Sequence, residues 1–458
     1  MAIRFAPSPT GDLHLGNVRT ALLNFLLAQS RGDDFLLRLE DTDTVRSRLE
    51  WSQQIEQDLL WLGIRWKQRP YFQSQRLSLY QKYYQTLQER GQTYLCFCST
   101  QDLAFMRKVQ RANGQAPRYS GVCRHLTVQQ IEEKQAAGIQ PTLRFHVPEG
   151  QTIHFIDLVR GAQTFTSDAI GDFIIRRADG TPAFFFCNAI DDALMQISHV
   201  LRGEDHISNT PRQILLLQAL ELPIPSYGHI SLIVGTDGAP LSKRQGSISV
   251  FELRAQGYLA SALCNYLSRL GHVYANHAFM NLNQLAVEFS LQNLNKAPAQ
   301  YDVHQLLYWQ KRAVLALDDA AFLDWIGFKV RILVPSSVQI QFIDMMRDNI
   351  LFPDEALKWA SVLFSDSYVR DSTVDDFLKT VNPHLWQIAL ATLGSQGADY
   401  EAVIAALKEQ LKLKGIALFK PLRMALTMQE SGPELAKIFE LLGVQRLIQR
   451  LHYCLTLR

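Results

Sequence analysis

Hydrophobic positions change their spacing several times along the chain, and those changes outline a fold. Residues 3–6 form a short apolar run that reads as a strand. A turn built from Pro7, Pro9 and Gly11 follows, and Val18, Ala21, Leu22, Phe25 and Leu26 then recur at helical spacing. Residues 35–39 read as a second strand, and residues 46–62 as a helix stopped by Gly63. Alternation of this kind predicts a parallel sheet with right-handed crossovers, which binds ligands beyond the carboxyl ends of its strands. His14 and Glu40 both fall at that edge.

Between Tyr94 and about Asp192 the alternation breaks. Residues 142–147 and 152–157 read as strands, and residues 173–177, the Asp179-Gly180 turn and residues 183–190 read as a hairpin. The sheet resumes at residues 199–201, followed by a helix with Pro211 in its first turn, where a missing N–H costs nothing. From about Val250 onward helical periodicity dominates. The expected architecture is multidomain: an α/β Rossmann-type parallel-sheet domain over 1–95 and 191–250, an inserted α+β module over 96–190, and an all-α C-terminal half parted near Asp318 into 251–318 and 319–458.

Length and composition agree with this reading and narrow it. A chain of 458 residues is too long for one core. A formal net charge of +2 is no nucleic-acid signature, so any RNA surface must come from local clustering. No basic N-terminal stretch leads into an apolar one, and no apolar run approaches the roughly 20 residues that cross a bilayer, so a cytoplasmic protein without membrane contact is expected. Six cysteines in a chain of this size do not make a disulfide framework.

Candidate chemistry begins at His14-Leu15-Gly16-Asn17, where the first helix opens. A helix N-terminus presents unpaired N–H groups to an anion, Gly16 has no Cβ to obstruct a flat ring, and His14 supplies a donor for charge developing on a phosphate oxygen. Alone, four such residues equally suit an ordinary strand-to-helix turn. Gly238-Ala-Pro-Leu-Ser-Lys-Arg244 adds a loop whose Lys-Arg pair can fold over the same phosphates. Cys96-Phe-Cys98 and Cys123-Arg-His125 offer three sulfurs and an imidazole, a tetrahedral set for structural Zn²⁺; the alternative is that these cysteines are small apolar core residues. Cys187, Cys264 and Cys454 read as core. Lys408, Lys412, Lys414, Lys420 and Arg423 cluster with only Glu409 opposing, either as a solvated helix face or as a surface for phosphates.

Together the two phosphate-facing stretches resemble the paired HIGH and KMSKS signatures of class I aminoacyl-tRNA synthetases. The words Arg4-Phe-Ala-Pro-Ser-Pro-Thr-Gly11, Arg38-Leu-Glu-Asp-Thr-Asp43 and Arg202-Gly-Glu-Asp-His206 narrow the resemblance to the glutamyl-tRNA synthetases, across essentially the whole chain. It implies ligation of L-glutamate to tRNA-Glu through glutamyl-adenylate, with ATP and Mg²⁺, by a monomer, since the family is mostly monomeric. It also implies that the inserted module grips the tRNA acceptor end, that residues 251–318 contact the stem and that residues 319–458 bind the anticodon.

On this resemblance His14, Ser242, Lys243 and Arg244 assist the chemistry, with Lys243 foremost. Arg4, Ser8, Glu40, Phe184, Asn188 and Arg202 surround glutamate. Arginine suits this task because its planar fork pairs bidentately with the carboxylate that separates glutamate from glutamine. Otherwise Arg4 pairs with Asp41 or Asp43 and only pins two strands. Thr10, His14, Gly16, Asn17, Glu204, His206, Leu232 and Lys243 meet ATP, and Arg46, Asn349, Lys412, Lys414 and Arg423 meet tRNA. The zinc-binding members share the Cys96, Cys98, Cys123 and His125 spacing.

Four positions depart from the family pattern. Pro240 stands where the second signature begins with lysine, Gln245 replaces a common histidine, and Phe184 falls where many members carry tyrosine. Asn349 aligns with an arginine that helps reject the tRNA-Gln anticodon. Its presence makes tRNA-Gln an alternative or additional substrate, with an amidotransferase consuming the product.

Overall fold

The computed structural model describes residues 1–43, 45–239, 241, 249–365 and 371–457. Pro240, Ser242, Lys243, Arg244 and Gln245 of the expected phosphate loop lie outside the described residues. Two compact units form, one of Met1–Ala255 with Leu263–Gln305, the other of Gln256–Ala262 with Leu306–Arg458. The stretch 251–318, expected as one domain, is thus shared between them.

The first unit is organised by a five-stranded parallel sheet. In chain order it contains β1 (Ala2–Phe5), α1 (Leu15–Arg31), β2 (Asp34–Leu39), α2 (Leu49–Trp61), β3 (Tyr71–Phe72) and α3 (Leu77–Glu89). After an insertion come β9 (Ile197–Gly203), α8 (Thr210–Ala219) and β10 (Ser226–Ile230), and the spatial order is β10-β9-β1-β2-β3. β1 is buried at all four positions, as a central parallel strand covered on both faces must be. α1 buries Val18, Ala21, Leu22, Phe25 and Leu26, the stripe read from the sequence. It stops at Gly32, whose φ of 66° is readily adopted only without a Cβ, and whose N–H closes on Ala28 O and Gln29 O. β1 and β9 sit side by side at the centre and end on the same edge, so residues just past both strands face one space.

The insertion runs through β4 (Thr93–Cys96), α4 (Thr100–Ala112), α5 (Val128–Ala136), β5 (Thr142–Phe145), β6 (Thr152–Asp157), β7 (Gly161–Thr166), α6 (Ser167–Ile170), β8 (Phe173–Arg176) and α7 (Phe184–Leu194). β4, β5 and β8 make an antiparallel sheet, and β6 pairs with β7 as a separate hairpin. The expected hairpin at 173–190 is half right. β8 is a strand, but 184–194 is a helix. Phe184-Phe185-Phe186 carries strand propensity; Asn188, Asp191 and Asp192, all buried, instead take helical spacing and turn toward the sheet. In this first unit, β11 (Ile233–Val234) pairs in parallel with β12 (Ala299–Gln300), tying the segment after 263 to the end of β10.

Helices make up the second unit among the described residues, around a core that includes Trp386, Phe342, Phe439, Leu363 and Leu442. Asp318, Asp371, Asn382 and Asp399 cap their helices by accepting a backbone N–H. Its long final helix, Leu435–Thr456, is broken internally at Gly443, where φ is 66°.

Candidate active site

A cavity of about 370 Å³ opens at the carboxyl edge of β1 and β9. Arg4, Ser8, Thr10, Gly16, Asn17, Glu40, Phe184, Asn188, Arg202, His206 and Leu232 all line it, together with Arg19 and Asp205. His14 is half-buried at the N-cap of α1, with its backbone bridged to Ser249. Glu204 is committed elsewhere: its carboxylate accepts the Leu232 N–H at 3.0 Å and pairs with Arg160. It therefore shapes the wall at Leu232 from behind.

The floor is a buried lattice of charge. Arg4 donates to both oxygens of Asp192, at 2.9 and 3.3 Å, and Arg38 donates to Asp192 Oδ1 at 2.7 Å and to Asn188 Oδ1 at 2.5 Å. Asp191, next in the helix, accepts from Arg76 at 2.7 Å, Tyr80 at 2.7 Å and Gln73 at 2.9 Å. Arg4 thus takes its acid from α7, and neither Asp41 nor Asp43 is its partner: Asp41 binds Ser74, and Asp43 binds Arg46. Sequence reasoning missed Arg38, Asp191 and Asp192. The one available signal was an acidic pair closing an otherwise apolar run.

Burial shifts two ionisable residues on this floor. Burial pushes the Glu40 carboxyl up to about 7, against the pull of Arg38 and Arg4. Arg202 is buried and has no ion-pair partner among the described residues; burial lowers its guanidinium to about 10. It donates to His229 Nε2 at 3.1 Å and Thr210 Oγ1 at 2.7 Å, both uncharged acceptors. At the mouth, the ring of His206 lies 5.2 Å from that of Phe184. A cavity of this kind offers a cation to an incoming carboxylate and an acid to an incoming ammonium, beside a helix N-terminus that suits a phosphate.

In the insertion, the sulfurs of Cys96, Cys98 and Cys123 lie within 4.8 Å of one another. His125 is exposed and does not join them. The Tyr119 hydroxyl does, 3.4 Å from Cys96 Sγ and 3.6 Å from Cys98 Sγ.

Among the expected tRNA contacts, Arg46 is exposed beside Asp43, and Lys412 and Lys414 are exposed. Arg423 is half-buried and donates to Pro433 O at 2.6 Å. Asn349 is exposed in the turn after the helix Gln339–Arg347 and donates back to Met345 O in that helix.

Similarity to known proteins agrees with this geometry. A family profile for class I tRNA synthetases (E and Q), catalytic domain, matches residues 1–308, and one for an anticodon binding domain matches residues 324–455. The chain belongs to the class I tRNA synthetases for glutamate and glutamine. Glutamate–tRNA ligase 1 of Coxiella burnetii is 48% identical over 98% of this chain and 99% of its own length. Glutamate–tRNA ligase 2 of Nitrosococcus oceani is 50% identical over 98% and 97%. A crystal structure of a glutamate tRNA ligase from Elizabethkingia meningosepticum, in complex with its amino acid, covers 100% of this chain at 25% identity with a TM-score of 0.88. Within its class the chain falls with the glutamate–tRNA ligases, enzymes that use ATP.

Proposed function

We propose that this chain activates L-glutamate with ATP and transfers it to the 3′ end of tRNA-Glu. The observation that carries the reading is Arg202, a buried cation facing a cavity with no acid of its own. Arg202 meets the side-chain carboxylate of glutamate, and Glu40, with Ser8, meets its ammonium. Arg4, already joined to Asp192, holds the floor and adds positive potential, with Asn188 and Phe184 as walls.

Thr10, Gly16, Asn17, His206 and Leu232 surround the nucleotide. One oxygen of the glutamate α-carboxylate attacks the α-phosphorus of ATP, and the bond to pyrophosphate breaks. The terminal ribose hydroxyl of tRNA then attacks the new carbonyl carbon and AMP leaves. No side chain need bond covalently to substrate; His14, the start of α1 and Lys243 stabilise the added phosphate charge. Mg²⁺, when bound with ATP, neutralises charge on the phosphates.

Zinc fits the insertion. Cys96, Cys98 and Cys123 would hold it, with Tyr119 oxygen the nearest fourth atom in place of His125. The ion would lock the acceptor-binding module structurally. Lys412 and Lys414 would contact the RNA backbone of the anticodon arm, while Arg46 serves the acceptor side.

Glutamylation of purified tRNA-Glu and tRNA-Gln side by side, at one salt concentration with ATP and Mg²⁺, tests this reading. Charging of tRNA-Glu is expected, and failure to charge either tRNA with glutamate would overturn it. Charging of tRNA-Gln would favour the second reading, which rests on Asn349: an exposed amide in place of an arginine offers neither charge nor bulk against the wrong anticodon.

A further inference from the structure

Arg202 is oriented by an unusual pair of partners. Its Nε donates to His229 Nε2, its Nη2 to Thr210 Oγ1, and the Thr210 hydroxyl in turn lies 3.1 Å from His229 Nε2. His229 is fully buried on β10, and its Nδ1 meets Asp157 Oδ2 at 2.5 Å. Asp157 ends β6 and is held in turn by the backbone N–H groups of Val159, Arg160 and His229, at 2.9, 2.8 and 3.1 Å.

The donor inventory fixes the protonation of this chain. Guanidinium has donors only, so His229 Nε2 must accept; Nδ1 must then carry the proton and give it to an ionised Asp157. Burial pulls the imidazole below its usual value; burial pushes the Asp157 carboxyl up, but the hydrogen bonds from His229 and the Val159 and Arg160 N–H groups outweigh it and hold the carboxyl below its own. Both shifts match the assigned states.

The chemical point is what His229 withholds. An aspartate or glutamate at this position would orient Arg202 equally well but would cancel its charge, and a substrate carboxylate would then have to displace it. A neutral imidazole fixes the fork and leaves the charge for the substrate. We propose that His229, locked as its Nδ1–H tautomer by Asp157, is the positioning residue that keeps Arg202 both oriented and unneutralised for the glutamate side chain. The inference rests on the reading of Arg202 as the group that meets that carboxylate.

Steady-state aminoacylation with the full chain, varying glutamate and ATP separately, tests it. His229→Asn loses the acceptor for Arg202 and should raise KM for glutamate about tenfold, the size expected for one lost hydrogen bond to a charged group, with KM for ATP and kcat within about twofold. His229→Gln keeps an acceptor at the Nε2 position and should recover most of the loss. His229→Asp should be worse than His229→Asn, because it adds a competing carboxylate. Arg202→Lys separates the two layers of the argument. If Arg202→Lys leaves KM for glutamate unchanged, the reading of Arg202 itself falls. If Arg202→Lys raises it and folded His229→Asn does not, the positioning role falls while the reading stands. Should His229→Asn fail to fold, Asp157→Ala, which leaves no side-chain acceptor for the His229 Nδ1–H, decides: a folded protein with unchanged KM for glutamate overturns the proposal.

Discussion

Arg4 of β1 and Asp192 of α7 stand 188 positions apart and are joined by two hydrogen bonds, with both side chains buried. Asp192 also accepts from Arg38, so one carboxylate of the insertion's last helix holds two arginines of the first two strands. Removing it would leave two guanidinium groups buried beside Asp191 and Glu40 with their best partner gone. Asp192→Ala is expected to cost roughly 3–5 kcal/mol of stability, the usual loss when one member of a buried ion pair is removed. Denaturant unfolding measures it, and a loss under about 1 kcal/mol would show that the lattice is not holding the floor together.

Glu40 sets an acid limit on catalysis. With its carboxyl near 7 before substrate arrives, it is increasingly protonated as pH falls below that value and can no longer pair with the ammonium of glutamate. kcat/KM for glutamate should therefore fall below about pH 7. In Glu40→Gln it should be low throughout and lose that limb of the profile. An unchanged acid limb in the variant would place the titration on another group.

Zinc content separates Tyr119 from His125. Metal analysis of the purified wild-type chain should find close to one zinc, and Cys98→Ser should abolish it. His125→Ala should retain the full amount because His125 stands apart from the sulfurs, whereas Tyr119→Phe should release zinc to a chelator more readily. The opposite order would restore His125 as the ligand.

Basic residues of the second unit should divide by their partners. Lys412→Ala and Lys414→Ala remove exposed charges, so each should weaken tRNA binding, lower the slope of log affinity against log salt by about one, and leave thermal stability alone. Arg423→Ala breaks a bond to Pro433 O inside the unit and should lower the unfolding temperature by several degrees, with a smaller change in salt slope.

Local features of the molecule were legible in the sequence. The strand–turn–helix at the N-terminus, the stripe buried by α1 and the edge where His14 and Glu40 fall all follow from period and turn residues over a dozen positions. Most of the cavity lining was also named, through the motif words. What holds those residues was not. Arg38 and Asp192 act through partners 150 to 188 positions away, and His229 through Arg202 and Asp157, 27 and 72 positions away, beyond the reach of any spacing rule. α7 was misread because three consecutive phenylalanines favour a strand, and the buried Asn188, Asp191 and Asp192 that overrule them gain their partners only once the sheet exists. Tyr119 was overlooked because a histidine sat at the expected ligand spacing, while the three sulfurs gather around the hydroxyl instead.

The most direct test of the account is the preference for glutamate over glutamine, expressed as the ratio of kcat/KM values in tRNA charging, for the wild-type chain and for Arg202→Gln. A buried cation reserved for the substrate predicts a large ratio in the wild type and its collapse in the variant, driven by loss of activity with glutamate. A variant that keeps the wild-type ratio would contradict the account, because the charge that separates the two amino acids would then be read somewhere other than Arg202.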